Sequence, residues 1–157
     1  MDEKSFLSQV KQCHGLILKL IGLYAYSIAD RNDLYQDILL NAWKGLPGFR
    51  GEAKFSTWIY QVALNTIFTT NRKKGIMSYH ESMEDFIIPV SPGLEEKEDV
   101  KRLYLAIRQL PETDRALITL HLEGYGNQEV AEMIGIKPGH VGVKLFRIKN
   151  QLQTLLK

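Results

Sequence analysis

Residues 127–151 read NQEVAEMIGIKPGHVGVKLFRIKNQ, and this segment has the pattern of two helices joined by a tight turn. Its apolar spacing predicts a short helix from Gln128 to Ile134, capped by Asn127, and a longer helix after the turn. Gly135 permits the sharp change of direction, and Ala131 is small enough for the two helices to cross closely. The pattern predicts a helix-turn-helix, whose second helix enters the major groove of DNA. A plain helical hairpin inside a core is the alternative.

The longer helix of this motif has one apolar and one basic face. Its predicted buried stripe consists of Val141, Leu145, Ile148 and Leu152. Its outward positions include His140, Lys144, Arg147 and Lys149. Cations on the exposed face of such a helix are suited to DNA phosphates.

The remaining segments also have helical spacing. The first helix is predicted from a stripe that alternates steps of four and three: Phe6, Val10, Cys13, Ile17, Leu20 and Tyr24. A second helix is expected to begin at an Asp30 cap and to end at the Gly-Leu-Pro-Gly breaker of residues 45–48. A third is expected to be capped by Ser56 and to bury a stripe that includes Ile59 and Ala63. No stretch alternates as a strand does, so the fold class is predicted to be all-α.

Charge divides the chain into three parts. Residues 1–75 carry 10 Lys/Arg against 6 Asp/Glu, residues 76–100 carry 1 against 7, and residues 101–157 carry 9 against 5. Two basic segments around an acidic one favour two modules that each meet a polyanion, with a linker that does not. Chance clustering is the alternative. We therefore expect two small helical domains joined by a flexible linker near residues 76–94.

Composition excludes several classes of protein. Hydrophobic residues at 45% and charged residues at 24% are typical of a globular chain, not a disordered one. The lone Cys13 excludes an internal disulfide framework, and the acidic, polar residues 2–4 do not fit a secretory signal. The most apolar run, residues 16–28, is too short to cross a bilayer. We expect a cytoplasmic protein without membrane insertion.

The segment between Trp43 and Phe68 holds six of the chain's aromatic residues, interleaved with cations. Ile59, Val62 and Ala63 already form the buried stripe of the third predicted helix, so Trp58 or Tyr60 is expected to face outward. Aromatic rings on a basic surface are what single-stranded bases stack on. A small helical core that simply contains these rings is the alternative.

The sequence gives little support for catalysis by the chain itself. The four histidines are scattered, and Cys13 beside His14 cannot build a tetrahedral metal site. The chain has no phosphate-cradling Gly-Lys-Ser/Thr loop and no carboxylate trio for a two-metal nuclease. We expect neither a catalytic residue nor a metal nor a cofactor.

Several of these segments resemble motifs of bacterial sigma factors of the sigma-70 family. Four segments resemble motifs of region two: Asp33-Leu34-Tyr35-Gln36-Asp37, Ala42-Trp43, FRGEAKFSTWIY at residues 49–60, and Val62-Ala63-Leu64-Asn65. Three segments resemble motifs of region four: Leu110-Pro111-Glu112 with Arg115, Glu123-Gly124-Tyr125, and Glu129-Val130-Ala131. The similarity is to the extracytoplasmic-function subfamily, which keeps only these two regions. It implies a region-two domain at 1–75, an acidic linker at 76–94 and a region-four domain at 95–157.

The resemblance implies a sigma factor, which binds core RNA polymerase and directs promoter-specific transcription initiation. The resemblance implies that Asp33, Gln36 and Asp37 dock on the β′ clamp helices of the polymerase. For melting the minus-ten element it implies Lys54, Phe55, Trp58, Tyr60, Asn65, Phe68, Arg72, Lys73 and Lys74. For reading the minus-thirty-five element it implies Gln128, His140, Lys144, Phe146, Arg147 and Lys149. It further implies the β flap and an anti-sigma factor as partners, a monomer when free, no catalysis by the chain itself, and work at the bacterial nucleoid.

The second helix of the helix-turn-helix departs from the family pattern at three positions. Gly142 and Val143 stand where relatives often carry polar or basic groups, and Lys137 stands where a Ser cap is common. Phosphate contact and DNA shape are therefore expected to carry more of its recognition.

Two functions of other classes remain as alternatives. The first is a one-component helix-turn-helix regulator that binds an operator as a dimer, which leaves the aromatic and basic segment at 43–74 unexplained. The second is a small DNA-processing enzyme, for which Tyr60 would be the nucleophile.

Overall fold

The computed structural model describes residues 1–74 and 98–157, and the linker predicted at 76–94 lies outside them. The helices in these two ranges are α1 (Glu3–Gly22), α2 (Ile28–Gly45), α3 (Phe55–Lys74), α4 (Glu98–Arg108), α5 (Glu112–Leu122), α6 (Asn127–Ile134) and α7 (Pro138–Leu155). A short 3-10 turn, Leu46–Gly48, follows α2. The described residues contain no strand, which confirms the all-α prediction. None of their helices is both long and apolar enough to cross a membrane.

The chain divides into two compact units, Met1–Pro89 and Val90–Lys157. In the first unit α3 packs against both α1 and α2. Ring contacts show how the helices run relative to one another. The ring centroid of Phe6 in α1 lies 5.2 Å from that of Trp43 near the end of α2 and 6.2 Å from that of Phe55 at the start of α3. Tyr24, just after α1, lies 5.7 Å from Phe68 near the end of α3. Helix α1 is therefore antiparallel to α2 and parallel to α3.

The first helix buries the predicted stripe from Phe6 to Leu20, and Tyr24, the last residue of the stripe, is buried just after the helix. The second helix begins earlier than predicted. Ser27 is its N-cap, because the hydroxyl oxygen accepts a 3.0 Å hydrogen bond from the backbone N–H of Asp30. Asp30 thus lies in the first turn, where its charge is favourable, and the prediction that it caps the helix was wrong. The third helix likewise begins at Phe55, one residue before the predicted Ser56 cap.

The second unit is built from α4 to α7, with α5 as its most buried helix. Helix α5 ends at Leu122 with Glu123 as its C-cap, and the turn that follows contains Gly124, whose φ of +97° suits glycine. Two side chains join the elements of this unit through backbone carbonyls. Nε of Arg115 donates to the carbonyl of Leu110 at 2.8 Å, and Nη2 of Arg102 donates to the carbonyl of Leu156 at 2.8 Å. The first bond ties α5 to the turn that precedes it, and the second ties α4 to the C-cap of α7.

Candidate nucleic-acid interface

Helices α6 and α7 form the predicted helix-turn-helix. The turn depends on Gly135, which adopts a left-handed conformation at φ 89° and donates a 2.8 Å hydrogen bond to the carbonyl of Ala131. Val130, Ala131 and Val141 are buried, as the sequence predicts for the apolar residues of this motif. Helix α6 starts at Asn127 with Gly126 as its N-cap, one residue earlier than expected. Helices α6 and α7 therefore form a packed motif, and one face of α7 is exposed to solvent.

The exposed face of α7 is basic. Its predicted stripe of Val141, Leu145, Ile148 and Leu152 is buried. His140, Phe146, Arg147 and Lys149 are exposed, Lys144 is half-buried, and Gln128 of α6 is exposed. No Asp or Glu occurs between Pro138 and Leu155, so nothing on this helix opposes an approaching phosphate. Lys137 is the N-cap and makes no side-chain capping bond, as its residue type predicts.

In the first unit, the residues predicted to bind polymerase share one exposed face of α2. Asp33, Gln36 and Asp37 are all exposed. Leu40 extends the same face by one turn and is 51% exposed, although sequence reasoning did not single it out. Its spacing of seven residues from Asp33 was the signal that could have found it.

A polar groove of about 410 Å³ lies between α2 and α3. It is lined by Asp37, Asn41, Val62, Asn65, Thr66, Thr69, Thr70 and Lys73. Asn65 and Lys73 are residues that the family resemblance implies for DNA. Asp37 is implied for polymerase docking instead. The remaining lining residues were not predicted as site residues, because threonines and an asparagine on separate helices form no motif along the chain.

Hydrogen bonds order one wall of this groove. Nδ2 of Asn41 donates to Oγ1 of Thr66 at 3.0 Å, and the Thr66 hydroxyl donates to the carbonyl of Val62 at 2.8 Å. The amide of Asn65 stays exposed beside this pair. The exposed amide of Asn65 can both donate and accept, which suits the hydrogen-bonding edge of an unpaired base.

The structure corrects the orientation expected for Tyr60. Its side chain is only 5% exposed, and its hydroxyl is hydrogen-bonded to the thiol of Cys13 on α1. The ring points inward because α3 is packed by helices on two sides, so a second face beyond the Ile59 stripe is buried. A base cannot stack on it, and a nucleophilic role is equally excluded by burial. Burial raises the pKa of the Cys13 thiol, while the bond to Tyr60 acts in the opposite direction.

The other aromatic residues form a cluster at the start of α3. Phe55 is buried, with Phe49 at 5.8 Å and Trp58 at 5.5 Å between ring centroids. Trp58 is half-buried and also lies 5.2 Å from Phe49, so part of its ring faces solvent. Phe68, at the other end of α3, is half-buried against Tyr24. The aromatic residues are therefore mostly core, with Trp58 and Phe68 partly accessible.

The predicted cations of the first unit lie at the two ends of α3. Lys54, just before the helix, is exposed, and so are Arg72 and Lys73 in its last turn. Nη2 of Arg72 donates to Oγ1 of Thr69 at 3.4 Å. The side chain of Lys74 lies outside the described residues. Lys73 also borders the groove, so a positive charge stands at its edge.

Comparison with known proteins matches both units to domain models. Residues 9–75 match sigma-70 region 2, and residues 101–152 match sigma-70, region 4. The chain is 28% identical over 174 residues to the ECF RNA polymerase sigma-E factor of Escherichia coli K12, covering 99% of this chain and 91% of that protein. It is 24% identical over 156 residues to the ECF RNA polymerase sigma factor SigM of Mycobacterium tuberculosis, covering 99% and 79%.

Two solved structures share the fold. The sigma factor RpoE of Bartonella quintana, crystallised with the anti-sigma factor NepR, has a TM-score of 0.78 at 20% identity, covering 98% of this chain and 97% of that one. CnrH, solved with the cytosolic domain of CnrY, has a TM-score of 0.70 at 18% identity, covering 99% and 89%.

Proposed function

Since this chain belongs to the sigma-70 family and carries regions 2 and 4 in order, we propose how its two units divide promoter recognition. The protein is an extracytoplasmic-function (ECF) sigma factor that directs transcription initiation by RNA polymerase. The observation that carries this conclusion is the pair of region models, which together account for both compact units. The assignments of surfaces that follow are our proposals.

The exposed face of α2 binds core polymerase at the β′ clamp helices in this proposal. Asp33, Gln36 and Asp37 lie on that face, with Leu40 one turn further along. Two carboxylates beside an exposed apolar side chain suit a helical partner that offers cations around an apolar centre. The β flap is assigned to the second unit, in keeping with the family resemblance.

The groove between α2 and α3 takes an unpaired base of the melted minus-ten element. Asn65 offers a side-chain amide at the groove, and Lys73 brings a positive charge to its edge. Trp58 and Phe68 offer partly exposed rings on the same helix, while Lys54 and Arg72 flank it with charge. Base stacking and backbone attraction both favour a strand that has already left the duplex. Tyr60 and Phe55 support this surface from the core.

The second unit binds the minus-thirty-five element through α7. His140, Lys144, Arg147 and Lys149 surround the exposed face and contact phosphates on both sides of the major groove. Gln128 lies on α6, the helix that crosses the backbone in this motif. The domain limits proposed for this arrangement are 1–75 and 95–157, with 76–94 as an acidic linker.

Several consequences follow for the protein as a whole. Phosphodiester bond formation belongs to the core enzyme, and this chain supplies recognition and strand opening without a catalytic group. Such a subunit works in the bacterial cytoplasm at the nucleoid, where polymerase and promoters are found. Free of polymerase it is a monomer, and an anti-sigma factor holds it inactive, as NepR is bound to the Bartonella protein.

Run-off transcription with purified core polymerase and a genomic fragment library tests the function. Transcripts with defined start sites should appear only when this chain is added, and the cloned start sites define its promoters. The competing function, an operator-binding dimer, predicts no such transcripts. That alternative also leaves the sigma-70 region 2 match of residues 9–75 without a role. A light-scattering mass of two chains in the free protein would favour it.

A further inference from the structure

Two large apolar side chains stand fully outward on α7. Val143 is 71% exposed and Phe146 is 72% exposed, one helical turn apart. At 100° per residue, Val143 lies almost opposite the buried stripe that passes through Val141 and Leu145. The core of the second unit therefore makes no use of either side chain.

Basic side chains flank this apolar pair. On the helical circumference, His140 and Arg147 lie to one side of it, and Lys149 lies to the other. No acidic residue occurs anywhere on α7. An apolar centre with a cation on each side, Arg147 and Lys149, matches the major groove, where phosphates line both rims and the base edges form the floor. A protein partner of acidic and apolar character is the other occupant that such a surface would take.

Glycines leave the neighbouring part of the helix surface bare. A Cβ at Gly139 would have no atom within 4 Å, and a Cβ at Gly142 would make only an ordinary 3.9 Å contact with Nδ2 of Asn127. The packing of this unit therefore requires glycine at neither position, although glycine lowers helix stability. Without these side chains the α7 backbone can come closer to the base edges, which brings Val143 and Phe146 to the floor of the groove.

We propose that Val143 and Phe146 read the 5-methyl groups of thymine in the minus-thirty-five element. This inference rests on the proposed function, since it places α7 in the major groove. Thymine is distinguished there by its methyl group, which apolar side chains contact. The cations around the pair hold phosphates whatever the sequence, whereas the apolar pair supplies the discrimination between bases. This chain therefore selects thymine at one or two positions where a polar side chain at 143 would not.

The test uses a promoter that the holoenzyme itself selects in the run-off experiment. Each thymine of its minus-thirty-five element is replaced in turn by deoxyuridine, which lacks only the 5-methyl group. We expect binding of the duplex by the holoenzyme to weaken about fourfold at one or two positions, the value for one methyl removed from an apolar contact. Replacement of thymines outside the two promoter elements should have no effect.

Variants then assign the contact to a side chain. With Val143→Ala, the thymine and deoxyuridine duplexes should bind alike at the position that Val143 reads. Leu155→Ala is the matched control, because Leu155 is an exposed apolar residue (41%) twelve residues further along the same helix. That variant should keep the full difference. Thermal unfolding should be unchanged in both, since both side chains are exposed.

Three results would overturn the inference while leaving the sigma function intact. These are a minus-thirty-five element without thymine, equal binding of every deoxyuridine duplex, and a full thymine preference in both Val143→Ala and Phe146→Ala. If deoxyuridine is tolerated but Val143→Ala weakens binding to core polymerase, the pair contacts protein. If no promoter is selected at all, the sigma function fails and this inference fails with it.

Discussion

The side-chain amide of Asn41 on α2 donates a 3.0 Å hydrogen bond to the hydroxyl of Thr66 on α3. Asn41 lies on the helix that carries the proposed polymerase face, and Thr66 lies on the helix that carries the proposed DNA groove. This bond therefore joins the two surfaces at the groove wall. Because Thr66 also donates to the carbonyl of Val62, its hydroxyl is held in one orientation.

Thr66→Val should test this link, since valine keeps the shape of threonine and removes the hydroxyl. We expect the free energy of unfolding to fall by about 0.5–1.5 kcal/mol in a denaturant titration, as for one hydrogen bond. Asn41→Ala should cost little further when added to Thr66→Val, because both changes remove the same interaction. Strictly additive effects in this double-mutant cycle would show that the bond does not couple the helices.

The groove residues and the α7 residues should fail at different steps of initiation. Asn65→Ala and Lys73→Ala should lower open-complex formation by roughly tenfold, as expected for the loss of contacts to an unpaired base. The defect, measured by permanganate reactivity, should shrink on a template with a pre-melted bubble. Thermal unfolding should be unchanged, because both side chains are exposed.

Lys144→Ala and Arg147→Ala provide the contrast to the groove variants. Each should weaken duplex binding and reduce the salt slope by about one, the value for one lost phosphate contact. Their defects should persist on the bubble template, because the minus-thirty-five element remains a duplex there. An equal response of both sets of variants to the bubble would refute the proposed division between the two units.

Reversal of charge on α2 should remove polymerase binding. Asp33→Arg combined with Asp37→Arg is expected to weaken the complex with core polymerase by roughly 100-fold, because like charges would then face each other across the interface. Helical content in circular dichroism should not change, since both residues are exposed. Glu132→Arg on α6, a single reversal on an exposed residue of the other unit, is the control for each of the two reversals taken alone. Core binding that survives the double reversal would remove this face from the interface.

Tyr60 should act through stability alone. Tyr60→Phe removes the hydroxyl that contacts Cys13, so the free energy of unfolding should fall by about 0.5–1.5 kcal/mol. Promoter opening at a temperature well below the unfolding transition should be unchanged. An opening defect in Tyr60→Phe without loss of stability would restore a direct role in DNA binding.

The buried thiol of Cys13 should make stability depend on pH in the alkaline range. Burial raises the pKa of the Cys13 thiol above its ordinary value of about 8.5, so the unfolded chain loses this proton first. The free energy of unfolding should therefore fall as the pH rises above about 8.5. In Cys13→Ala this decline should be smaller, which denaturant titrations at neutral and alkaline pH would show. An identical decline in Cys13→Ala would assign it to other groups, among them Tyr35, whose pKa is also raised by burial.

Much of this molecule follows from local patterns in the chain. The α1 stripe, the turn at Gly135 and the buried stripe of α7 each depend on residues three to seven apart, and all were predicted correctly. Helix starts were less accurate, because Ser27 and Asp30 can each accept a capping bond and only the folded geometry selects between them. The exposed cations of α7 also follow from its period alone.

Other features exist only because particular helices meet. A single stripe predicts one buried face for α3, yet α1 and α2 both pack on it, so a second face carrying Tyr60 is buried as well. The groove depends in the same way on Asn41 and Thr66, which are 25 residues apart in the chain. Helical periodicity reports which residues share a face, whereas the number of neighbours around a helix is set by the packing of the whole unit. The amino-acid sequence therefore determined the helices and the DNA-binding motif, and only the tertiary structure decided which aromatic residues of α3 remain accessible.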